Sequence, residues 1–408
     1  MRIEPITCLR PTPERVAEFA ALPYDVFTNE EARAFVAEHP TSFLAIDRPE
    51  TSFDEGQDPY EEKVYAKAQQ LLRERQLDGT LVRDEKPCFY IYEQRIGDHV
   101  QRGLMGAIAV DDYLDGTLRQ HELTLPTKER DRVNHITKTR AQTGPVFVAY
   151  PDSMAIDFLL EAARQASPLY DFVSADGVHQ RVWRIAREIA VEAISVAFST
   201  VECGYIADGH HRAAAAVQIC QDRRNEGREN DPAEAFLAVL FPASQLRILA
   251  YDRIVADTNG LSEGEFLDAL RNTGFDCELL EGEPTHPQKR GDFHMHAFNK
   301  WYVLRLSDDT PKSTDPVEAM DVSVLQNRVL APILGINDPR TNERISFFGG
   351  ESPQSLANRA GEEGIAILLY PTSVEELMAV SDAGELMPPK STWFDPKLLS
   401  GLALRRIW

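Results

Sequence analysis

Val201–Asp222, VECGYIADGHHRAAAAVQICQD, is the stretch whose reading decides the fold. A short strand-forming run gives way to a polar turn, Asp208-Gly209-His210-His211-Arg212, and then to an alanine-rich run with helix-forming composition. Strand, turn and helix in that order set an acid, two histidines and an arginine at a helix N-terminus. The first amides of such a helix have no partner inside it and favour an anion, and a glycine before them lets the backbone approach a ligand closely. Asp208 acting only as an N-cap is the plainer reading, but four polar side chains are more than capping needs.

Working outward, Arg119, His121 and Glu122 stand where another apolar segment ends. A neutral histidine beside a carboxylate can move a proton or share a metal ion. Adjacent strand residues point to opposite faces, so both enter one pocket only if the backbone turns there. Thr127–Arg140 then reads as a helix with a strongly charged face on which Lys128, Arg130, Asp131, Arg132, His135 and Lys138 either meet solvent or belong to the site, and Val146–Tyr150 as a strand. Upstream, Cys88–Gln94 and Gly103–Val110 form a hairpin pattern, and Tyr60–Glu74 has helical periodicity with Val64, Ala68, Leu71 and Leu72 facing a core. Met1–Thr7 reads as an edge strand whose regularity ends at Pro11 and Pro13, and Thr41–Arg48 as a short apolar strand. Thr28 or Asn29 can cap a helix starting at Glu30. In the preceding loop, Pro23-Tyr24-Asp25 can line a pocket with Tyr24 and Asp25, or anchor a turn.

Downstream, helices are expected over 155–165, 188–198, 264–273, 315–334 and 373–383. Strands are expected over 180–186, 235–241, 246–255 and 365–370, with a further pair around Asn299-Lys300, while 340–348 returns either to the sheet or to the surface. His294 and His296 are spaced to share a strand face, and a solvent-facing pair is expected there rather than a metal pair. Near the end, Lys390, Ser391 and Thr392 bring a cation and two hydroxyls together in a proline-rich arm. That arm can hold phosphate or pack through Trp393 and Phe394. The working division is a core with N-terminal elaboration over 1–255 and an α+β region over 256–408.

The 408 residues, 43% of them hydrophobic, can bury a substantial core and favour two or more domains. With 43 basic against 65 acidic residues, the formal charge is −22. This disfavours a broad nucleic-acid-binding surface. No apolar run has the length of a signal peptide or a membrane span. The five cysteines lack ligand-like spacing, so a reduced, cytoplasmic protein is expected. No P-loop, HExxH, GxSxG or dinucleotide fingerprint stands in its required context.

Several segments resemble the bacterial and archaeal family called domain of unknown function 1015 (DUF1015). They are LPYDVF at 22–27, the segment ending in His121-Glu122, TxxxxGPVFxxY at 139–150, YIADGHHR at 205–212 and MPPKSTWFxPK at 387–397. The DGHHR turn is also similar to the DGHxR-like turn of the ParB/sulfiredoxin fold, which includes nucleotide-dependent partition proteins, sulfiredoxins and free-serine kinases. His replaces the sulfiredoxin cysteine, and the DNA-binding parts of partition proteins are not apparent.

The resemblance implies an α/β (α+β) protein with a ParB/sulfiredoxin-like mixed-sheet core and large additions. It implies ATP or ADP at the turn, with Gly209, His210, His211 and Arg212 at the phosphates, assisted by Lys390, Ser391 and Thr392. Asp208 would orient Mg²⁺ through water or polarise a hydroxyl. Glu122, Asp208 and His210 are the catalytic candidates, and Arg119, His121, Tyr24 and Asp25 the substrate-binding ones. The implied reaction is phosphoryl transfer to a small hydroxyl metabolite, L-serine first. A metal-dependent phosphoester hydrolase or nuclease, and a non-catalytic nucleotide-binding regulator, stay open. No membrane or nucleic-acid partner is expected, and a homo-oligomer is allowed.

Overall fold

The computed structural model describes residues 1–228, 231–307, 309–310 and 313–407. The chain divides into two compact units, Met1–Leu246 with Pro396–Trp408, and Arg247–Asp395. The architecture is mixed α/β in both.

The first unit is built on a nine-stranded sheet. Its strands are β1 (Ile3–Glu4), β2 (Phe89–Ile96), β3 (His99–Ala109), β4 (Leu118–Arg119), β5 (Val146–Tyr150), β6 (Tyr170–Val173), β7 (His179–Ile185), β8 (Gly204–Asp208) and β9 (Ala235–Pro242). The order is β4–β8–β5–β9–β3–β2–β7–β6, with β1 also on β3. β4 runs parallel to β8 and β5 parallel to β9, while the other pairs are antiparallel. β9 is buried along its whole length, as its unbroken run AFLAVLFP requires of a central strand. Leu104, Val148, Ile206, Phe236 and Leu240 supply the core with Phe198, Ala213, Ala215 and Ala216 from the helices. The alanines let the His210–Asn225 helix lie close to its neighbours, and it packs on the Pro126–Thr139 helix. A second, four-stranded sheet joins Leu81–Arg83, Cys8–Pro11, Leu404–Arg406 and Ala141–Gln142.

The second unit has a six-stranded antiparallel sheet, in the order Phe275–Leu279, Lys300–Leu306, Asp292–Ala297, Ile365–Leu369, Tyr251–Val255, Ile345–Gly349. The division falls after Leu246 rather than after Val255, because Tyr251–Val255 is hydrogen-bonded within this second sheet.

Most predicted elements form, including the hairpin, the Glu62–Leu77 helix with its apolar stripe buried, and the helix capped by Thr28. Four expectations need correction. Thr41–Arg48 contains a buried helical turn, Leu44–Asp47, not a strand; a short apolar run does not fix the period by itself. The expected 315–334 helix is a short helix, Asp321–Leu325, widening into a π turn over Gln326–Leu330. Pro332, lacking an N–H, prevents the ordinary ladder from continuing. The predicted 246–255 strand breaks in two, and Ile248–Leu249 pairs with Trp393–Phe394 instead of joining the sheet. Finally, Cys8–Pro11 is a strand in its own right, ending at the proline.

Candidate functional site

Three strand ends meet at one edge of the large sheet. β4 and β8 are parallel, so their C-terminal ends lie side by side, and β5, antiparallel to β8, begins at the same place. The register of β8 against β5 slips between Ile206 and Asp208. One extra residue there is a bulge, which bends the strand and re-aims the side chain that follows. Asp208 is that side chain. Gly209 then takes a left-handed conformation (φ 91°, ψ 26°) as N-cap of the 16-residue helix, a geometry that glycine adopts without steric cost.

Asp208 accepts from its neighbouring Gly209 amide at 2.7 Å through Oδ1, and from Lys397 Nζ at 2.9 Å through Oδ2. Burial pushes this carboxyl up. The Lys397 ammonium, with help from Arg212 and the Gly209 amide, outweighs burial and holds it well below the usual carboxylate range. Lys397 is placed by the segment returning to this unit. Gln94 Nε2 donates to the Lys397 carbonyl at 2.9 Å, and the Leu399 amide donates to Tyr92 Oη at 3.3 Å.

Arg212 reaches back over the start of β5. Its Nη1 donates to the Pro145 carbonyl at 3.2 Å, and its guanidinium carbon lies 5.6 Å from the Tyr24 ring centre. Gly144 makes that path possible, since a Cβ there would sit 2.8 Å from the guanidinium carbon. The Tyr24 ring also lies under Arg132, 4.1 Å from the guanidinium carbon, a cation–π distance. Burial pushes the Tyr24 hydroxyl up to about 12, so it is a neutral donor at physiological pH. Arg132 is itself buried and paired with Asp131 and Asp47. His135 is buried too, whereas Lys128 and Arg130 on the same helix are exposed. The charged helix is therefore solvated on one face only. Asp25 is exposed.

The histidines form the other side of the site. β4 ends at Arg119, and His121 and Glu122 follow in irregular backbone, which meets the requirement for both to face one space. His121 and His210 are buried, their rings perpendicular with centroids 4.5 Å apart. The His121 amide lies 3.5 Å from His210 Nε2, and His210 Nδ1 lies 3.9 Å from Glu122 Oε2. Burial pushes the His121 imidazole down to about 4, and pushes His210 well below its ordinary value, with His121 adding to the effect. Both rings are neutral at pH 7. His211 Nε2 accepts from the Leu125 amide at 3.0 Å, which turns this ring toward the segment before the charged helix. Arg119 Nη1 donates to Tyr205 Oη at 3.4 Å.

The structure thus brings Tyr24, His121, Glu122, Asp208, Gly209, His210 and Arg212 into one neighbourhood within the first unit. Lys390, Ser391 and Thr392 belong to the second unit. There the Lys390 ammonium stands 5.5 Å from the Tyr251 ring centre, and Ser391 donates to the Pro388 carbonyl at 2.6 Å. The lysine at Asp208 is Lys397, which lies in the same quoted motif as Lys390 but was not singled out. Gly144 is likewise not marked out by the sequence, although it stands in the GPVF motif, and Arg132 stands there only as one of several charges on the helix. His294, expected to face solvent, is buried, and its Nδ1 is bonded to the Thr285 carbonyl. His296 shares its face and packs on Trp301. Among the described residues, no helix is long and apolar enough to cross a membrane.

Three solved structures show distant likeness. A C-terminally truncated SbnI from Staphylococcus aureus is 13% identical over 74% of this chain and 87% of that one, with a TM-score of 0.38. A conserved hypothetical protein from Pyrococcus furiosus is 13% identical over 74% of this chain and 95% of that one, with a TM-score of 0.36. A free serine kinase in complex with AMP is 12% identical over 72% of this chain and 86% of that one, with a TM-score of 0.35. No curated protein matches at a significant level. The family model described as "Protein of unknown function (DUF1015)" matches residues 3–323, and the chain belongs to that family.

Proposed function

We propose that this DUF1015 protein binds ATP or ADP at the 208–212 turn and transfers a phosphoryl group to a small hydroxyl metabolite, with L-serine the first acceptor to test. One observation carries the reading: a left-handed glycine opens a long helix between a lysine–aspartate pair and a partly buried arginine, beside a half-exposed glutamate. Helix N-termini, lysine and arginine are the groups that hold phosphate oxygens. Phosphoryl transfer asks mainly for positioning and charge stabilisation, with one residue orienting the attacking hydroxyl.

In this reading the amides after Gly209 and the Arg212 guanidinium meet the nucleotide phosphates, with His211 at the side. Lys397 takes the part expected of Lys390 and neutralises developing charge when a phosphate draws it from Asp208. Both Asp208 oxygens have partners, so the acid suits an outer-sphere contact to a hydrated Mg²⁺ better than direct ligation. Glu122 accepts the acceptor's proton, while His121 and Arg119 position it with Tyr24 at the edge.

The decisive experiment is a product assay with ATP and with ADP across a panel of hydroxyl metabolites, together with calorimetric titration of each nucleotide. Phosphorylated product should form, and Glu122→Gln should lower turnover by roughly 10²–10⁴-fold, the size of a lost general base, with nucleotide affinity little changed. Nucleotide binding without product from any acceptor would leave a regulatory binding protein. Full turnover by Glu122→Gln would remove that residue from its role.

A further inference from the structure

The geometry points to a divalent transition-metal site made by His121, Glu122 and His210, beside the nucleotide turn and separate from the Mg²⁺ that accompanies a nucleotide. One ligand atom from each of these residues lies within 4.8 Å of the others. The set is two imidazoles and one carboxylate, a donor combination that suits zinc, iron(II) or cobalt(II) and leaves positions open for water or a substrate oxygen.

The independent observation is the orphaned lone pair of His121. This ring is 2% exposed, and its Nδ1 has no hydrogen-bond partner among the described residues. In the tautomer protonated on Nε2, Nδ1 is a bare acceptor, the form in which a neutral imidazole ligates a metal. A buried polar atom left without a partner carries a desolvation cost, and a bound cation removes it.

The spacing to the third donor fits the same account. His210 Nδ1 and Glu122 Oε2 are 3.9 Å apart, too far for a hydrogen bond. An ion with bonds of about 2.0–2.2 Å spans such a gap with a modest inward movement of one ligand. Glu122 is the ligand able to move, because its side chain is 46% exposed while that of His210 is 2% exposed. Ligation through Nδ1 puts the His210 ring proton on Nε2, so the 3.5 Å contact from the His121 amide is given up. The site needs neither a nucleotide nor the second unit.

The test uses the full chain after EDTA dialysis, titrated with Zn²⁺ by calorimetry and with Co²⁺ by visible absorption. One equivalent should bind, with a cobalt ligand-field band, and excess Mg²⁺ should not displace it. His121→Ala and His210→Ala should each weaken binding at least about tenfold, and Glu122→Gln should weaken it and shift the band. Glu122→Gln, half-exposed, keeps the test informative if a histidine variant fails to fold. No stoichiometric uptake, displacement by Mg²⁺, or an unaltered band in the folded variants would overturn the site. ADP titrated into the EDTA-treated chain reports on the nucleotide reading separately, since loss of one does not entail loss of the other.

Discussion

Gly144 lacks a side chain at the point where Arg212 passes, and that single atom's room decides where a charge sits. Its backbone is not left-handed, so alanine is conformationally allowed there. An added Cβ would meet the far end of a flexible arginine, 2.8 Å away. Gly144→Ala is therefore expected to fold, to move the Arg212 guanidinium, and to weaken ADP binding by roughly tenfold, the equivalent of ~1.4 kcal/mol. A calorimetric Kd and a melting curve check both halves, and an unchanged Kd would take Arg212 out of the phosphate contacts. Gly144 sits in a motif quoted from the sequence, yet nothing in the sequence says which side chain it clears. Lys397 was hidden for a related reason. Two lysines stand in one short proline-rich motif, and spacing along the chain does not say which reaches Asp208.

At the level of elements, the site arises where strands stop. The bulge at the end of β8 aims Asp208, the end of β4 frees His121 and Glu122 from alternating faces, and glycine starts the helix. The helix and strands were legible because their periods and the DGHHR turn are local signals. The bulge and the parallel pairing of β4 with β8 were not, because they depend on residues some 60 and 86 positions apart. The second unit offers an element with a measurable pH signature. Asp321 opens the short helix that runs into the π turn, and both its oxygens accept from the Gly291 amide, at 3.0 and 3.1 Å. Burial nevertheless pushes this carboxyl up to about 6, against ~3.9 in an unfolded chain. Between these values the folded state holds a proton that the unfolded state has lost. Stability from this group is thus fully present below about pH 4 and lost as pH rises through 6, by roughly 1–3 kcal/mol. Asp321→Asn keeps an acceptor for Gly291 but cannot ionise. Its denaturation midpoint should fall less than that of the wild type between pH 4 and 7, and identical pH profiles would refute the assignment.

Across the whole molecule, the last residues return to the first unit. Leu404–Arg406 is hydrogen-bonded between Cys8–Pro11 and Ala141–Gln142, Leu404 is buried, and Arg405 donates to the Ala235 and Pro232 carbonyls at 2.9 and 2.7 Å. Deleting residues 396–408 should therefore abolish or broaden the first unit's calorimetric transition, besides removing Lys397. A full-height, unshifted transition in the truncated chain would show that the returning strand is dispensable. By itself, the sequence determined the mixed α/β class, most of the elements, the strand–turn–helix at Asp208–Arg212 and the family likeness, because each is written in local periodicity, turn chemistry or contiguous motifs. Tertiary structure alone decided which strand ends share an edge, that His121 and Glu122 join His210, and that Lys397 closes on Asp208. Those juxtapositions are made by pairings between distant segments, and no residue's immediate neighbours along the chain encode them.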